Sequence, residues 1–289
     1  MVSLPNNAPL RGIYINLERS TARRQQLEQQ LDRLGLRHLY QRFQGLDGES
    51  IYEEHKHTKL SPGSLGCWLS HRDALRGDAD NDNHLHILED DVQITEGFRP
   101  FLKTLIGKKA ETFDWDIIFT DIGVRWWAVS PNDMRQLLSA VNHGANTRTI
   151  GLYDASITYA ASMASYIVNK NSKQKVASLL EDGFGSSAPI DIYMGTLITE
   201  GRIKAHVTLP FVTTLSELHS ESTIKGDLNS SNPTRTLSIL FRRSLAYDVD
   251  TNKILHVCKD RMESEALDDR SKIYIGLMAH LFSGEARSF

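Results

Sequence analysis

Apolar and polar positions along the chain switch between the short period of strands and the longer period of helices. Ile13-Tyr14-Ile15-Asn16-Leu17 is a short, mostly apolar run and predicts a buried first strand. Ser20 offers an N-cap, Leu27, Leu31 and Leu34 recur at i, i+4 and i+7, and Gly35 ends the helix they define. A second strand is predicted at residues 39–43, and residues 46–61 read as polar and turn-like. Ser61-Pro62-Gly63 announces another helix, with Pro near its first position, an apolar face of Leu65, Trp68, Leu69 and Leu75, and an end at Gly77. A polar loop at 78–83 leads into a strand at 84–88 that runs straight into Glu89-Asp90-Asp91.

Further strands are predicted at 115–119, 165–168 and 203–209. Residues 130–151 read as part helix, part polar loop. Asn169 is the expected cap of a helix through Val176, Leu179 and Leu180, closed by Gly183, and a helix over 189–200 follows a small-residue loop at 184–188. Past Ser222 the pattern changes to a polar Ser/Asn/Pro stretch at 227–234, a basic and apolar stretch at 237–245, and a last helix near 273–282. Strands alternating with helices predict an α/β fold with a mostly parallel central sheet. Residues 1–226 are expected to form this domain and 227–289 a C-terminal linker and helical appendage.

A chain of 289 residues can bury a full core. Net charge is −3, so no global basic field points to nucleic acid. Its two cysteines, Cys67 and Cys258, lie far apart and outside any C-x-x-C spacing, which suggests neither a disulfide framework nor a zinc site. The first residues lack the charged-then-apolar order of a signal segment, and no apolar run reaches the roughly 18 to 20 residues that span a bilayer. The expectation is a cytoplasmic protein. The basic, apolar stretch around Arg242-Arg243 is expected to pack against the main domain, the alternative being that it touches an anionic membrane surface, as on the cytoplasmic face of the inner membrane.

Ligands of open α/β sheets gather at the carboxyl ends of strands, which turns attention to the residues just after each strand. Three consecutive carboxylates there repel one another unless a cation or strong donors compensate. Hard divalent ions take oxygen ligands of this kind. In extended geometry Glu89 and Asp91 face one side and Asp90 the other. That makes Glu89 and Asp91 the expected metal pair and Asp90 a supporting or ribose-binding residue. Arg19, Arg23 and Arg24 crowd the start of the first helix, where cations oppose the dipole; an anionic ligand such as a phosphate would account for them. Asn16, at the strand end, is a candidate for reading a base or ribose. On the helix that follows Pro62, Gly66 implies a close backbone or ligand approach, Ser70 and His71 lie off the apolar face as cofactor-binding candidates, and Cys67 reads as packing. His71 would donate to a phosphate or hold the acidic loop.

Four stretches occur in order: Ile15-Asn16-Leu17-Glu18-Arg19-Ser20 with Arg23-Arg24, Phe43-Gln44-Gly45-Leu46-Asp47-Gly48, Pro62-Gly63-Ser64-Leu65-Gly66-Cys67-Trp68-Leu69-Ser70-His71, and Ile87-Leu88-Glu89-Asp90-Asp91-Val92. Together they resemble glycosyltransferase family 25, the group of bacterial lipooligosaccharide galactosyltransferases and collagen galactosyltransferases. The resemblance is close over residues 12–98 and looser over 160–224, where Pro189-Ile190-Asp191 fits; Thr120-Asp121-Ile122-Gly123 departs from it. The resemblance implies a GT-A-type, Rossmann-like nucleotide-sugar fold and a UDP-sugar donor, UDP-galactose foremost. It also implies manganese or magnesium at the acidic motif, an inverting mechanism and a glycan acceptor, lipid-linked in lipopolysaccharide synthesis.

Inverting transfer needs a base for the acceptor hydroxyl. Asp191, after a flexible Gly/Ser loop, is the first candidate, and Asp121, also at a strand end, the second. His219 is the candidate for a further metal ligand, and Trp126 and Trp127 for stacking on a sugar. Two rival readings remain. A magnesium-dependent phosphohydrolase or phosphotransferase wants an aspartate where the first strand ends, and this chain has Asn16 there. A non-catalytic glycan-binding scaffold does not need an intact Glu89 and Asp91.

Overall fold

The computed structural model describes residues 10–106, 114–123, 130–142, 149–158, 162–216, 233–263 and 267–283. Strand β1 (Leu10–Asn16) is followed by α1 (Thr21–Arg33) and, after a 3-10 turn at Arg37–Leu39, by β2 (Tyr40–Gln44). The stretch read as turn-like holds α2 (Gly48–Ile51) and a 3-10 segment at Glu53–Thr58. Then come α3 (Pro62–Gly77), β3 (His84–Glu89), β4 (Val92–Ile94), α4 (Phe98–Ile106) and β5 (Ile117–Phe119). These are followed by α5 (Pro131–Asn142), β6 (Gly151–Asp154), α6 (Ala155–Thr158), β7 (Ser165–Val168), α7 (Lys173–Gly183), α8 (Ile190–Thr199), β8 (Ala205–Leu209) and β9 (Thr213–Leu215). The C-terminal part contributes α9 (Pro233–Ser244), α10 (Thr251–Met262) and α11 (Asp269–Phe282).

Local chemistry accounts for the helix ends nearest the site. Ser61 caps α3, its Oγ accepting from the Ser64 N–H at 3.3 Å, and Pro62 occupies the first turn, where a missing N–H costs nothing. Gly35 follows α1 at φ +63°, a backbone conformation glycine adopts without strain. One expected cap is corrected. Asn169 does not open α7, which starts at Lys173 after Ser172. The Asn169 side chain instead donates to the Trp115 carbonyl at 3.0 Å and accepts from the Asn171 N–H at 3.1 Å, bracing the turn between strand and helix.

The main sheet has seven strands in the order β2-β1-β3-β7-β5-β8-β6. Strand β1 is parallel to both β2 and β3, β7 is antiparallel to both β3 and β5, β8 is parallel to β5, and β6 closes the edge antiparallel to β8. Five strands therefore share a direction and two oppose it, a mostly parallel α/β sheet as expected. A separate two-stranded ladder joins β4 to β9.

Alternate residues of each strand enter cores on opposite faces of the main sheet. Ile13, Ile87, Ile117, Phe119 and Tyr166 belong to the core beneath α3, α7 and α8. Tyr14, Leu88, Ile118 and Ile167 belong to the core covered by α1 and α4. The basic, apolar stretch at 237–245 is part of the first core: Leu237, Leu240, Phe241 and Leu245 are buried there, together with Tyr274, Ile275 and Met278 of α11. Its apolar residues therefore present no exposed face to a membrane. Among the described residues, no helix is long and apolar enough to cross one.

Candidate active site

Strand β3 delivers its last residues to a cleft beside the carboxyl end of β1. Leu88 points into the α1 side of the sheet, while Glu89 continues the face of Ile87 toward α3. The three carboxylates are then held by three different sets of partners. Glu89 Oε1 lies 3.1 Å from His71 Nε2, and the Cys67 thiol reaches the same oxygen at 3.6 Å. His71 is fixed from behind by the Tyr166 hydroxyl, 3.0 Å from its Nδ1. Asp90 is buried and accepts from Asn16 Nδ2 at 2.7 Å and from an Arg23 guanidinium nitrogen at 3.1 Å. The same Arg23 nitrogen stands 3.7 Å from Asp91 Oδ2.

These contacts redefine several sequence-based assignments. Asn16, expected to read a base or ribose, is 1% exposed and spans the protein's own groups, donating to Asp90 and accepting from Arg42 Nε at 2.9 Å. It is a positioning residue. Arg23 is also buried, and the anion that compensates it at the start of α1 is the Asp90-Asp91 pair rather than a bound phosphate alone. Arg19 bonds Asp47, the residue that caps α2. Both Arg19 and Arg23 still line the cleft, whereas half-buried Arg24 does not. Ser70 accepts from the Leu46 N–H at 2.8 Å and donates to the Gly66 carbonyl at 2.6 Å, so it anchors the loop at 45–49 that forms one wall. Gly66 is explained by backbone contact. A Cβ there would sit 2.5 Å from the Leu46 carbonyl oxygen and 2.8 Å from the Gly48 nitrogen.

Burial is the main influence on the site's acids. It lifts Asp90 from the ordinary carboxylate range to about 6, against the Asn16 hydrogen bond and the Arg23 charge, with the neighbouring Asp91 carboxylate adding to the rise. It likewise raises Asp191, at the start of α8, against the bond its Oδ1 accepts from the Ile192 N–H at 2.9 Å. The Cys67 thiol is pushed well up by burial and then by the fields of Glu89, Asp191 and Asp91.

Two cavities adjoin at this point. The first, about 260 Å³, lies between the loop at 45–49, the start of α1 and the acidic strand end, and is lined by Arg19, Arg23, Asp47, His71 and all three carboxylates. The second, about 230 Å³, is lined by Ser64, Ser162, Met163, Pro189, Asp191 and Arg242. Cys67 and Glu89 line both. The structure thus brings Glu89, Asp91, Asp90, His71, Arg19, Arg23 and Asp191 to one continuous site. It does not bring Asp121 there. That carboxylate is fully buried and bound by Arg242 through Nε at 2.7 Å and a terminal nitrogen at 2.6 Å, which ties α9 to the end of β5. His219, Trp126 and Trp127 lie outside the described residues.

Sequence reasoning missed two participants. Cys67 was taken for packing, although its i, i+4 spacing from His71 on α3 puts both on one helix face. Arg242 lies in a stretch expected to pack against the main domain, as it does, but its place as a wall of the second cavity was not foreseen.

A mostly parallel seven-stranded sheet, with carboxylates at a strand end over a two-chambered cleft, is consistent with a Rossmann-like glycosyltransferase fold. A family model described as Glycosyltransferase family 25 (LPS biosynthesis protein) matches residues 11–194, well over half of the chain and all the cleft residues named above except Arg242. The chain belongs to that family, a glycosyltransferase family of lipopolysaccharide biosynthesis. Comparison with curated proteins gives no match.

Proposed function

We propose that the protein is an inverting, metal-dependent hexosyltransferase. It moves a sugar, galactose foremost, from a UDP-sugar in the first cavity to a hydroxyl of a growing lipopolysaccharide or lipooligosaccharide glycan in the second. The observation that carries this reading is the meeting of the two cavities at Glu89, with Asp191 across the second chamber. A donor and an acceptor must share one boundary for a single displacement, and a hydrolase needs only one such chamber.

Glu89 and Asp91 form an oxygen donor set that suits a hard divalent ion such as manganese or magnesium. When bound, such an ion would relieve charge on the departing diphosphate. Arg19 and Arg23, lining the same cavity, add positive charge on that side. Asp90, clamped by Asn16 and Arg23, fixes the strand end so that the carboxylates on either side keep their directions. Asp191 takes the proton of the acceptor hydroxyl as its oxygen bonds to the anomeric carbon and the bond to the diphosphate breaks. Its raised pKa brings it closer to the operating pH, where a general base is most effective. The reading puts the enzyme on the cytoplasmic face of the inner membrane, where nucleotide sugars and lipid-linked acceptors meet.

The test is a donor screen with UDP-galactose, UDP-glucose and their N-acetyl forms, with and without manganese, on a truncated lipopolysaccharide acceptor. Transfer that requires the metal and is abolished by Glu89→Ala and Asp91→Ala is the expected result. No donor turned over or bound, or unchanged activity in both variants, would overturn it. Asp191→Asn should lower kcat by about 10²–10⁴-fold with donor binding preserved.

A further inference from the structure

The wall between the two chambers carries a second set of metal-binding atoms, distinct in chemistry from the carboxylate pair. Cys67 Sγ, a His71 ring nitrogen and a Glu89 carboxylate oxygen all lie within 4.8 Å of one another. Tetrahedral zinc holds sulfur at about 2.3 Å and nitrogen or oxygen at about 2.0–2.2 Å, which sets sulfur and oxygen about 3.6 Å apart and nitrogen and oxygen about 3.4 Å apart. The structure has Cys67 Sγ 3.6 Å and His71 Nε2 3.1 Å from Glu89 Oε1. Both distances that meet at Glu89 are thus close to edges of a zinc tetrahedron.

We infer that Cys67, His71 and Glu89 form a zinc site whose fourth position opens into the substrate cleft. Two of the three ligands come from one turn of α3 and the third from the end of β3, so the site rests on rigid elements of the core. The outer support is in place: with Nε2 on the metal, the Nδ1–H donates to the Tyr166 oxygen 3.0 Å away. Binding releases the proton of the Cys67 thiol to solvent.

The consequence for activity rests on the metal-dependent transfer proposed above. An ion on Cys67 and His71 draws Glu89 away from a catalytic ion shared with Asp91, so zinc inhibits the manganese-supported reaction. Occupancy of the site does not depend on that reading.

The experiment titrates the full chain, stripped of metal, with Co²⁺ and then Zn²⁺. One equivalent of Co²⁺ giving a thiolate-to-metal charge-transfer band, displaced by Zn²⁺, is expected. Cys67→Ser should remove the band, His71→Gln should weaken Co²⁺ binding by at least about ten-fold, and Cys258→Ser should keep the site intact. No stoichiometric Co²⁺ uptake by the unmodified chain, or a band that survives Cys67→Ser, overturns the inference. Asp91→Asn should retain the band while losing manganese-dependent transfer. A band lost in Asp91→Asn would show that the ion needs Asp91 as a ligand and defeat the three-residue site with its open fourth position. Transfer activity absent from the unmodified chain, with the band present, would defeat the function and leave the zinc site standing.

Discussion

Asp90 shows how one buried side chain sets the behaviour of the strand end. It keeps a negative charge away from water against two donors, and burial outweighs them, so its folded pKa stands at about 6 against an ordinary value of 3.8. A folded-state pKa above the unfolded one means that the native protein binds more protons in that window. The stabilising contribution is fully present below pH about 4 and is lost as pH rises through about 6. Asp90→Asn removes this component, and urea unfolding from pH 4 to 7 should show a flatter stability profile than the unmodified chain. Asp191 follows the same direction for activity. As a base it works deprotonated, so kcat should fall toward acid with a midpoint above that of an ordinary aspartate, and that limb should vanish in Asp191→Asn.

At the level of elements, the first cavity exists because α3 lies against the loop and short helix that follow β2. Two glycines of α3 separate this contact from helix propensity. Alanine at Gly66 would meet backbone atoms of Leu46 and Gly48 at 2.5 and 2.8 Å, whereas alanine at Gly77 would meet nothing within 4 Å. Both changes gain up to about 1 kcal/mol of helix propensity, yet Gly66→Ala pays for overpacking of about 1–3 kcal/mol. Chemical denaturation should therefore find Gly66→Ala destabilised and Gly77→Ala neutral or stabilised. Because the Gly66 contact positions the loop that carries Asp47, Gly66→Ala should also weaken nucleotide-sugar binding, measurable by calorimetry.

Across the whole molecule, the C-terminal helices complete the core on the α3 face and close the second cavity. Arg242 of α9 reaches Asp121 at the end of β5, and Arg243 donates to the Leu215 and Ser216 carbonyls at 3.2 and 2.6 Å. Asp121→Ala leaves a buried guanidinium without its carboxylate and should cost about 3–5 kcal/mol, with a much smaller loss in Asp121→Leu combined with Arg242→Met. A chain ended at Gly226 would expose the sites filled by Leu237, Leu240, Phe241, Tyr274 and Met278. It should be recovered without a cooperative thermal transition, whereas the full chain shows one.

The amino-acid sequence by itself determined the parts governed by local physics. Ser61-Pro62 with the spacing of Leu65, Trp68, Leu69 and Leu75 defined α3, and the apolar run ending in Glu89-Asp90-Asp91 located the acidic strand end, because caps and periodicity act within a few residues. The ordered motifs around them were enough to identify the family. Tertiary structure decided which way each polar side chain is used. Asn16 looked like a ligand reader until Asp90, 74 residues on, came within 2.7 Å of it. Arg23 looked like a phosphate site until the same strand end supplied its anion. Cys67 looked inert until β3 set Glu89 beside it, and Asp121 looked available until Arg242, 121 residues later, closed over it. The cost of a buried charge is met by whichever partner the chain's packing brings near, and sequence spacing does not reveal that partner before the sheet assembles.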